Sequence, residues 1–153
     1  MKTITNLKDF CPKTTIVIDG DANFAAYPEI TDLGNLQAIR GFAYFTNNKI
    51  QSLGNLQTIG GWADFRQSKI QSLSNLQRVE GSANFTYSQV QDLGNLQFIG
   101  GNAYFGESQV QSLGDLQTIM CTAYFENSQV QDLGNLQRIG GDALFQNRLL
   151  FVL

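Results

Sequence analysis

The sequence contains no histidine among its 153 residues. This absence excludes a histidine-activated nucleophile, a histidine-ligated metal and a histidine proton shuttle. Cysteine is scarce too, and Cys11 and Cys121 are too far apart in a repeating chain to form a zinc site or an intrachain disulfide. The acidic residues fall mostly at different phases of the repeat, so they are not expected to converge as a general acid and base. The sequence therefore predicts a protein that is not an enzyme and needs neither a cofactor nor a metal.

Basic charge and long apolar runs are also lacking. Ten Lys and Arg against thirteen Asp and Glu give a net charge of -3, and no basic stripe is available to neutralise phosphates. No apolar stretch approaches the roughly twenty residues that cross a bilayer, and residues 1–10 lack the apolar segment of a signal peptide. We therefore expect a soluble, cytoplasmic protein that binds neither nucleic acid nor membrane directly.

What the chain has is one phrase repeated every twenty residues, A-x-F-x-x-[S/N]-x-[I/V]-Q-[S/D]-L-[G/S]-[N/D]-L-Q-x-[I/V]. Its phenylalanines keep strict step, at Phe45, Phe65, Phe85, Phe105, Phe125 and Phe145. Such a period is typical of stacked coils that cannot fold singly but bury a continuous core together. The sequence predicts a β-rich solenoid of about six repeats over residues 22–153, ending part-way through a coil, after a capping segment of residues 1–21.

Within a coil, the apolar spacing changes from two to three. Ala63 and Phe65 are two apart, as on one face of a strand, whereas Leu73, Leu76 and Val79 are three apart, as on a looser return path. We therefore expect one parallel strand per coil, with each phenylalanine packed on the next. Two glutamine columns, one from Gln51 to Gln131 and one from Gln57 to Gln137, are interpreted as amide ladders between coils.

The start of the chain has the features of a cap. Residues 14–18 (TTIVI) predict an opening strand, and residues 5–10 predict one helical turn over the end of the core. The first coil is one residue longer than the others, and Tyr27-Pro28 marks where the extra residue is absorbed. The solenoid is therefore expected to begin sealed.

The last coil has no polar cap in the sequence. Leu150 and Leu153 keep the register of Val130 and Leu133, and Phe151 replaces the glutamine of earlier coils. One interpretation is pairing with a second copy, a homodimer through Leu150, Phe151 and Leu153. The other is that the tail folds back over its own last coil.

The portion A-x-F-x-x-[S/N]-x-[I/V]-x-x-L resembles the leucine-rich repeat phrase L-x-L-x-x-N-x-L-x-x-L. Ala43 and Phe45 match its strand positions and Asn48 its asparagine, with serine replacing that asparagine in the next four coils. The twenty-residue period is similar to the short repeats of bacterial and bacteriophage leucine-rich proteins. The resemblance implies a right-handed coil whose strand face binds a partner.

A competing fold is the pentapeptide-repeat square β-helix, which also uses twenty residues per coil. Residues 63–67 and 68–72 fit its phrasing. Leu73, Leu76 and Val79 break its rule of five, because they are three apart.

The outward positions of the strand vary from coil to coil while the inward ones do not. They mix aromatic and charged residues, which is typical of protein-binding surfaces. The predicted partner-binding residues are Phe42, Tyr44, Trp62, Asp64, Arg66, Tyr87, Asn102, Tyr104, Tyr124 and Glu126. The alternative is that tyrosines such as Tyr104 and Tyr124 only stabilise the sheet as cross-strand pairs.

These features predict a module that binds another protein through its strand face, as an inhibitor or adaptor. Between Arg78 and Arg138 there is no Lys or Arg but six acids, so one alternative is an acidic decoy that blocks a nucleic-acid-binding protein, such as a phage anti-defence protein. Another alternative is carbohydrate binding by the tyrosines and Trp62.

Overall fold

The structure is a computed structural model that describes residues 2–145 and the backbone of residues 148–150. Its strands in chain order are β1 (Lys2–Ile4), β2 (Thr15–Ile18), β3 (Ala22–Asn23), β4 (Ala38–Ile39), β5 (Ala43–Tyr44), β6 (Thr58–Ile59), β7 (Ala63–Asp64), β8 (Arg78–Val79), β9 (Ala83–Asn84), β10 (Phe98–Ile99), β11 (Ala103–Tyr104), β12 (Thr118–Ile119), β13 (Ala123–Tyr124), β14 (Arg138–Ile139), β15 (Ala143–Phe145) and β16 (Arg148–Leu150). Two 3₁₀ turns, η1 (Leu7–Asp9) and η2 (Phe24–Ala26), lie near the start. Neither turn has the length or apolar character needed to cross a membrane, and the described residues contain no other helix.

The strands form two sheets that run along the solenoid. Sheet I has the order β1-β2-β4-β6-β8-β10-β12-β14, and sheet II the order β16-β15-β13-β11-β9-β7-β5-β3. Along the repeats each strand pairs in parallel with its equivalent twenty residues away, such as Ala43 with Ala63. The predicted β-solenoid is thereby confirmed.

Each regular coil contributes two short strands where the sequence predicted one. The chain turns a corner between them, as at Gly60-Gly61 between β6 and β7. A Cβ on Gly60 would collide with the carbonyl oxygen of Arg40 in the coil before. Gly60 thus stacks closely on Arg40, although Glu80 and Met120 stand at the same corner position in other coils. In each coil the corner separates a strand of sheet I from a strand of sheet II.

The core follows the predicted pattern. Ala63, Phe65, Leu73, Leu76 and Val79 are all fully buried, and the equivalent residues repeat this in the neighbouring coils. The phenylalanines from Phe24 to Phe125 stack with ring centroids 5.0–5.3 Å apart, and Phe145 lies 4.5 Å from Phe125. The column of rings joins the coils into one hydrophobic core.

The predicted start of the solenoid is confirmed in its main elements. Leu7 in η1 is buried, and the Asn6 side chain accepts a hydrogen bond from the backbone N–H of Lys8. The ring of Phe10 packs edge-on against Phe24 at 6.4 Å, closing the ring column. The extra residue of the first coil is accommodated next to η2. The sequence did not predict β1, which pairs in parallel with β2 at the edge of sheet I.

The last coil ends differently from the register predicted for Leu150. Strand β16 reverses direction and pairs antiparallel with β15, placing Leu150 opposite Ala143. A parallel continuation of the repeat would bring Arg148 into the column that is buried at Asn48 and Ser88. A guanidinium cannot enter that column without losing its hydration. Phe151 and Leu153, the other predicted oligomer contacts, lie outside the described residues.

The asparagine and serine column keeps only part of the expected hydrogen bonding. Asn48 donates from Nδ2 to the carbonyl of Phe24 at 2.6 Å, and its Oδ1 accepts from the N–H of Ile50 at 2.7 Å. Ser108 donates to the carbonyl of Phe105 at 2.7 Å. The Oγ of Ser68 has no hydrogen-bond partner within the part of the chain that the structure describes.

The glutamine columns do not form the predicted ladders of side-chain amides. Their backbone groups bond between coils, as from the N–H of Gln77 to the carbonyl of Gln57 at 2.8 Å. Among the described residues, the one glutamine amide pair joins Nε2 of Gln91, in the first column, to Oε1 of Gln109, which lies in neither column, at 3.2 Å. The backbone already links the coils, so these exposed amides are left to solvent.

Candidate functional site

The outward side of sheet II carries the predicted partner-binding residues, and we call it the strand face. Its alternation follows the prediction, since Ala43 and Phe45 are buried while Tyr44 between them is half-buried. Positions 42, 44, 46 and 47 of the first full coil, with their equivalents every twenty residues, make up the strand face.

Phe42 and Trp62 form an aromatic patch at one side of the strand face. Phe42 is 46% exposed and Trp62 is 39% exposed. A Cβ on Gly61 would collide with the Phe42 ring, so this glycine makes room for the ring. Phe42 also packs edge-on against Tyr44, with centroids 6.4 Å apart. The Phe42 ring is thus held in position, while a large part of both the Phe42 and the Trp62 surface faces solvent.

Asp64 is not available to a partner, and this corrects the prediction. Its side chain is 2% exposed, beneath Arg66, whose Nη2 lies 2.7 Å from Oδ2. Oδ1 also accepts from the backbone N–H of Arg66 at 3.0 Å. Bonding and attraction to this carboxylate raise the pKa of Arg66 above its ordinary value. Arg66 remains half-exposed, but its charge is balanced within the same coil.

Tyr104 and Tyr124 stack on neighbouring coils with centroids 4.7 Å apart. Asn102, also a predicted site residue, is half-buried and donates from Nδ2 to the Tyr104 hydroxyl at 3.1 Å. Its Oδ1 accepts from the N–H of Thr122 at 3.0 Å. Asn102 therefore orients the tyrosine pair, and both tyrosines stay partly exposed.

Tyr87 occupies a turn in which the backbone is left-handed, with φ 57°. It is 62% exposed, the highest value among the large apolar residues exposed in the described chain. Its equivalents Asn47, Gln67, Glu107 and Asn127 have the same conformation. Asparagine tolerates this conformation well and a bulky aromatic poorly, so holding a tyrosine there costs stability.

Tyr87 separates two grooves on the strand face. One, which we call the tyrosine groove, has a volume of about 440 Å³ and is lined mainly by Tyr87, Tyr104, Gly106, Glu107, Tyr124 and Glu126. The other, about 500 Å³, includes Thr46, Arg66, Gln67 and Asn84. Both share Thr86 and Tyr87. The structure thus brings four predicted residues, Tyr87, Tyr104, Tyr124 and Glu126, into one concave site.

The two grooves differ in charge. Within residues 2–145 the ion pairs are Arg40–Asp19, Arg66–Asp64 and Arg78–Glu80, none of which includes Glu107 or Glu126. Both glutamates are exposed. The tyrosine groove therefore carries negative charge that its own surroundings do not balance.

Glu107 was missed as a site residue by the sequence reasoning. The signal was its column, in which Asn47, Gln67, Tyr87, Glu107 and Asn127 vary like the other outward positions. A period of two assigns residues to a face only within a strand. Position 47 and its equivalent Glu107 lie just beyond the strand. Its turn geometry brings it onto the strand face.

Two further observations give no candidate site. A polar groove of about 390 Å³ lies between Gln91, Gln109, Gln111 and Gln129, away from the aromatic residues. Within the described part of the chain, no group of three or more Cys, Asp or Glu side chains is placed to hold a metal ion. The strand face is therefore the surface with the richest mixture of aromatic and charged groups.

No family model, curated protein or solved structure matches this chain. The leucine-rich repeat identity accordingly stays a prediction from the repeat phrase.

Proposed function

We propose that this solenoid is a protein-binding module, without catalytic activity, that uses the strand face of sheet II to inhibit or recruit a partner. The observation that carries the proposal is the exposure of Phe42, Trp62 and Tyr87 on that one face. Exposed aromatics that are fixed in place lose little entropy on binding, and such residues dominate the energetics of protein interfaces.

The distribution of the aromatics supports a partner larger than a small molecule. The Phe42 and Trp62 patch and the tyrosine groove lie on different coils of the same face. A protein partner that contacts both covers several coils at once. Weak contacts at two separated points then add into one stable interface.

The test is capture of a partner by wild-type protein and by a strand-face variant, Phe42→Ser/Trp62→Ser/Tyr104→Ser/Tyr124→Ser. We expect the wild type to retain a protein from a lysate that the variant does not, with binding weakened by about a hundredfold or more, because four anchor side chains are removed. The matched control is Phe98→Ser/Met120→Ser, which removes apolar side chains from positions outside sheet II.

Circular dichroism and thermal melting are used to check that both variants remain folded. Equal capture by the wild type and the strand-face variant would contradict the proposal. Loss of capture with the control variant alone would move the interface away from sheet II.

A second candidate function is carbohydrate binding, favoured by the stacked Tyr104 and Tyr124 beside carboxylates in one groove. Flat aromatic faces pack on sugar rings, and carboxylates accept hydrogen bonds from hydroxyls. Binding of the wild type, but not of a Tyr104→Ser/Tyr124→Ser variant, on a glycan array would favour this function over protein binding.

We place this activity in the cytoplasm. Cys11 and Cys121 are both free thiols. A reducing compartment keeps such thiols unpaired.

A further inference from the structure

We infer that the tyrosine groove binds an arginine side chain of the partner protein. This inference rests on the proposed function and specifies the chemistry that the strand face recognises. It concerns the groove between Tyr87 and the Tyr104 and Tyr124 pair.

The floor of the groove includes a position without a side chain. Gly106 stands in the column occupied by Thr86 and Glu126 in the neighbouring coils. A Cβ at Gly106 would lie 2.9 Å from the carbonyl oxygen of Glu126, so a larger residue would also disturb the turn. The groove lies between Tyr87 and the stacked tyrosines and has a volume of about 440 Å³. A long side chain fits this space, whereas a whole helix does not.

The charge around the groove favours a cation. Glu107 and Glu126 line it without an ion pair among the described residues. The sequence has no Lys or Arg between Arg78 and Arg138, so this segment supplies no cation of its own. The faces of tyrosine rings also attract cations through their quadrupole. A neutral or acidic side chain would gain neither contact.

The same chain shows how it holds an arginine elsewhere. On sheet I the Arg78 guanidinium lies 4.0 Å from the centroid of the Phe98 ring and donates to Glu80 at 2.7 Å. An aromatic face from the next coil and a nearby carboxylate thus form an arginine site within the solenoid. The tyrosine groove offers the same two groups but has no arginine between them. A planar guanidinium stacks on such rings better than a lysine ammonium, so arginine is the expected ligand.

The neighbouring groove does not offer the same negative charge. Its one charged lining residue is Arg66, which the buried Asp64 already neutralises. Recognition is therefore expected to be one-sided, with the basic residue of the partner on the Glu107 side of Tyr87. The second groove provides an internal control surface of similar size.

The experiment selects a random dodecapeptide phage library on immobilised wild-type protein. Enriched peptides are synthesised with a fluorescein label, and their affinities are measured by anisotropy. Each peptide is also made with arginine replaced by citrulline, which keeps the shape and removes the charge, and with arginine replaced by lysine. The protein variants are Glu107→Gln/Glu126→Gln and, as a control for lost charge elsewhere, Asp9→Asn/Glu29→Gln.

The groove variant is expected to fold, because Gln67 already occupies the same left-handed turn position with φ 54°. We expect the enriched peptides to contain arginine. They should bind the Glu107→Gln/Glu126→Gln variant about tenfold more weakly than the wild type, since each exposed charge contact contributes about threefold to affinity. Replacing the peptide's arginine with citrulline should cause a similar loss of affinity, and replacing it with lysine a smaller one. The Asp9→Asn/Glu29→Gln control protein should bind the peptides as tightly as the wild type.

Three results would overturn the inference. If peptides lose affinity for a Tyr87→Asn/Tyr104→Ser/Tyr124→Ser variant but tolerate citrulline and the glutamine variant, the arginine assignment fails and strand-face binding stands. If the Asp9→Asn/Glu29→Gln control loses as much affinity, the attraction is general acidity and not the groove. If no enriched peptide depends on the strand face, the inference and the proposed function both fail.

Discussion

The two sheets share one core, but the charged and aromatic residues on their outer faces make different contacts. On sheet I, Arg78 is bonded to Glu80 and stacked on Phe98, so these groups satisfy one another. On sheet II, Phe42, Trp62 and Tyr87 are exposed, and Glu107 and Glu126 have no ion pair among the described residues. This part of sheet I thus satisfies its outer groups internally, whereas the strand face leaves aromatic and acidic groups without partners in the described chain, as the proposed binding function requires.

The shared core gives the largest expected effect. Replacing Phe85 with alanine interrupts the column of stacked rings and leaves a cavity, so the free energy of unfolding should fall by about 3–5 kcal/mol. Phe98→Ala on sheet I should cost about 1 kcal/mol or less, because the Phe98 ring is only partly buried. Urea unfolding followed by circular dichroism measures both. Equal losses would mean that the outer faces are as essential to the fold as the core.

The ion pairs of the two faces provide the next test. Arg66→Ala leaves the buried Asp64 carboxylate without its strongest partner and should cost about 1–2 kcal/mol. Arg78→Ala should cost less than about 1 kcal/mol, since Glu80 is half-exposed and can return to water. Denaturant unfolding of the two variants gives the comparison.

A rescue variant checks the reason for that difference. Asp64→Asn/Arg66→Thr copies the next coil, where Oδ1 of Asn84 accepts from the N–H of Thr86 at 2.9 Å. This double variant should recover most of the stability lost in Arg66→Ala. Failure to recover it would mean that packing of the arginine stem, and not the unpaired carboxylate, determines the cost.

A smaller effect, of opposite sign, is expected at Tyr87. Tyr87→Asn places the residue of the equivalent turns at Asn47 and Asn127 in the left-handed conformation, and should raise the free energy of unfolding by about 0.5–1 kcal/mol. The same variant should weaken partner binding. Thermal melting and a binding assay measure the two outcomes. A loss of stability would show that Tyr87 is retained for packing and not for function.

The smallest effect concerns a carboxylate, that of Asp132, whose two oxygens each accept one hydrogen bond. The N–H of Gly134 and the hydroxyl of Ser112 bond to Asp132 and hold the pKa of its carboxyl below the ordinary value. A lowered pKa in the folded state contributes stability above the pKa of the unfolded chain, and this stability disappears as the pH falls through the folded pKa. Ser112→Ala should move the pKa of Asp132 upward in a carboxyl NMR titration. An unchanged pKa would assign the whole shift to Gly134.

Much of the fold could be predicted because every coil faces the same physical problem. Ala63, Phe65 and Leu73 recur at fixed spacing, and the apolar character of these uniform columns indicates burial. The second strand of each coil, such as β8, could not be predicted, because Leu76 and Val79 are three apart and lack the period of two that marks a strand. The reversal at β16 was not predicted, because the repeat register alone extends Leu150 into a further parallel coil.

The candidate site was predicted less completely than the core. Alternation along a strand placed Tyr44, Tyr104 and Tyr124 on the outer face, and the structure agrees. Asp64 lies at the same alternating position but is buried, because Arg66 folds over it. Alternation along a strand does not predict contacts between neighbouring side chains of this kind. The groove itself is lined by Gly106 and by Tyr87, which lie at and beyond the strand end.

The most direct test of the account is hydroxyl-radical footprinting of the solenoid with its captured partner. We predict that Phe42, Trp62 and Tyr87 on the strand face become protected from oxidation, while the exposed Met120 and the half-buried Phe98 do not. Protection of Met120 and Phe98, with Phe42, Trp62 and Tyr87 still reactive, would contradict the claim that sheet II is the binding face.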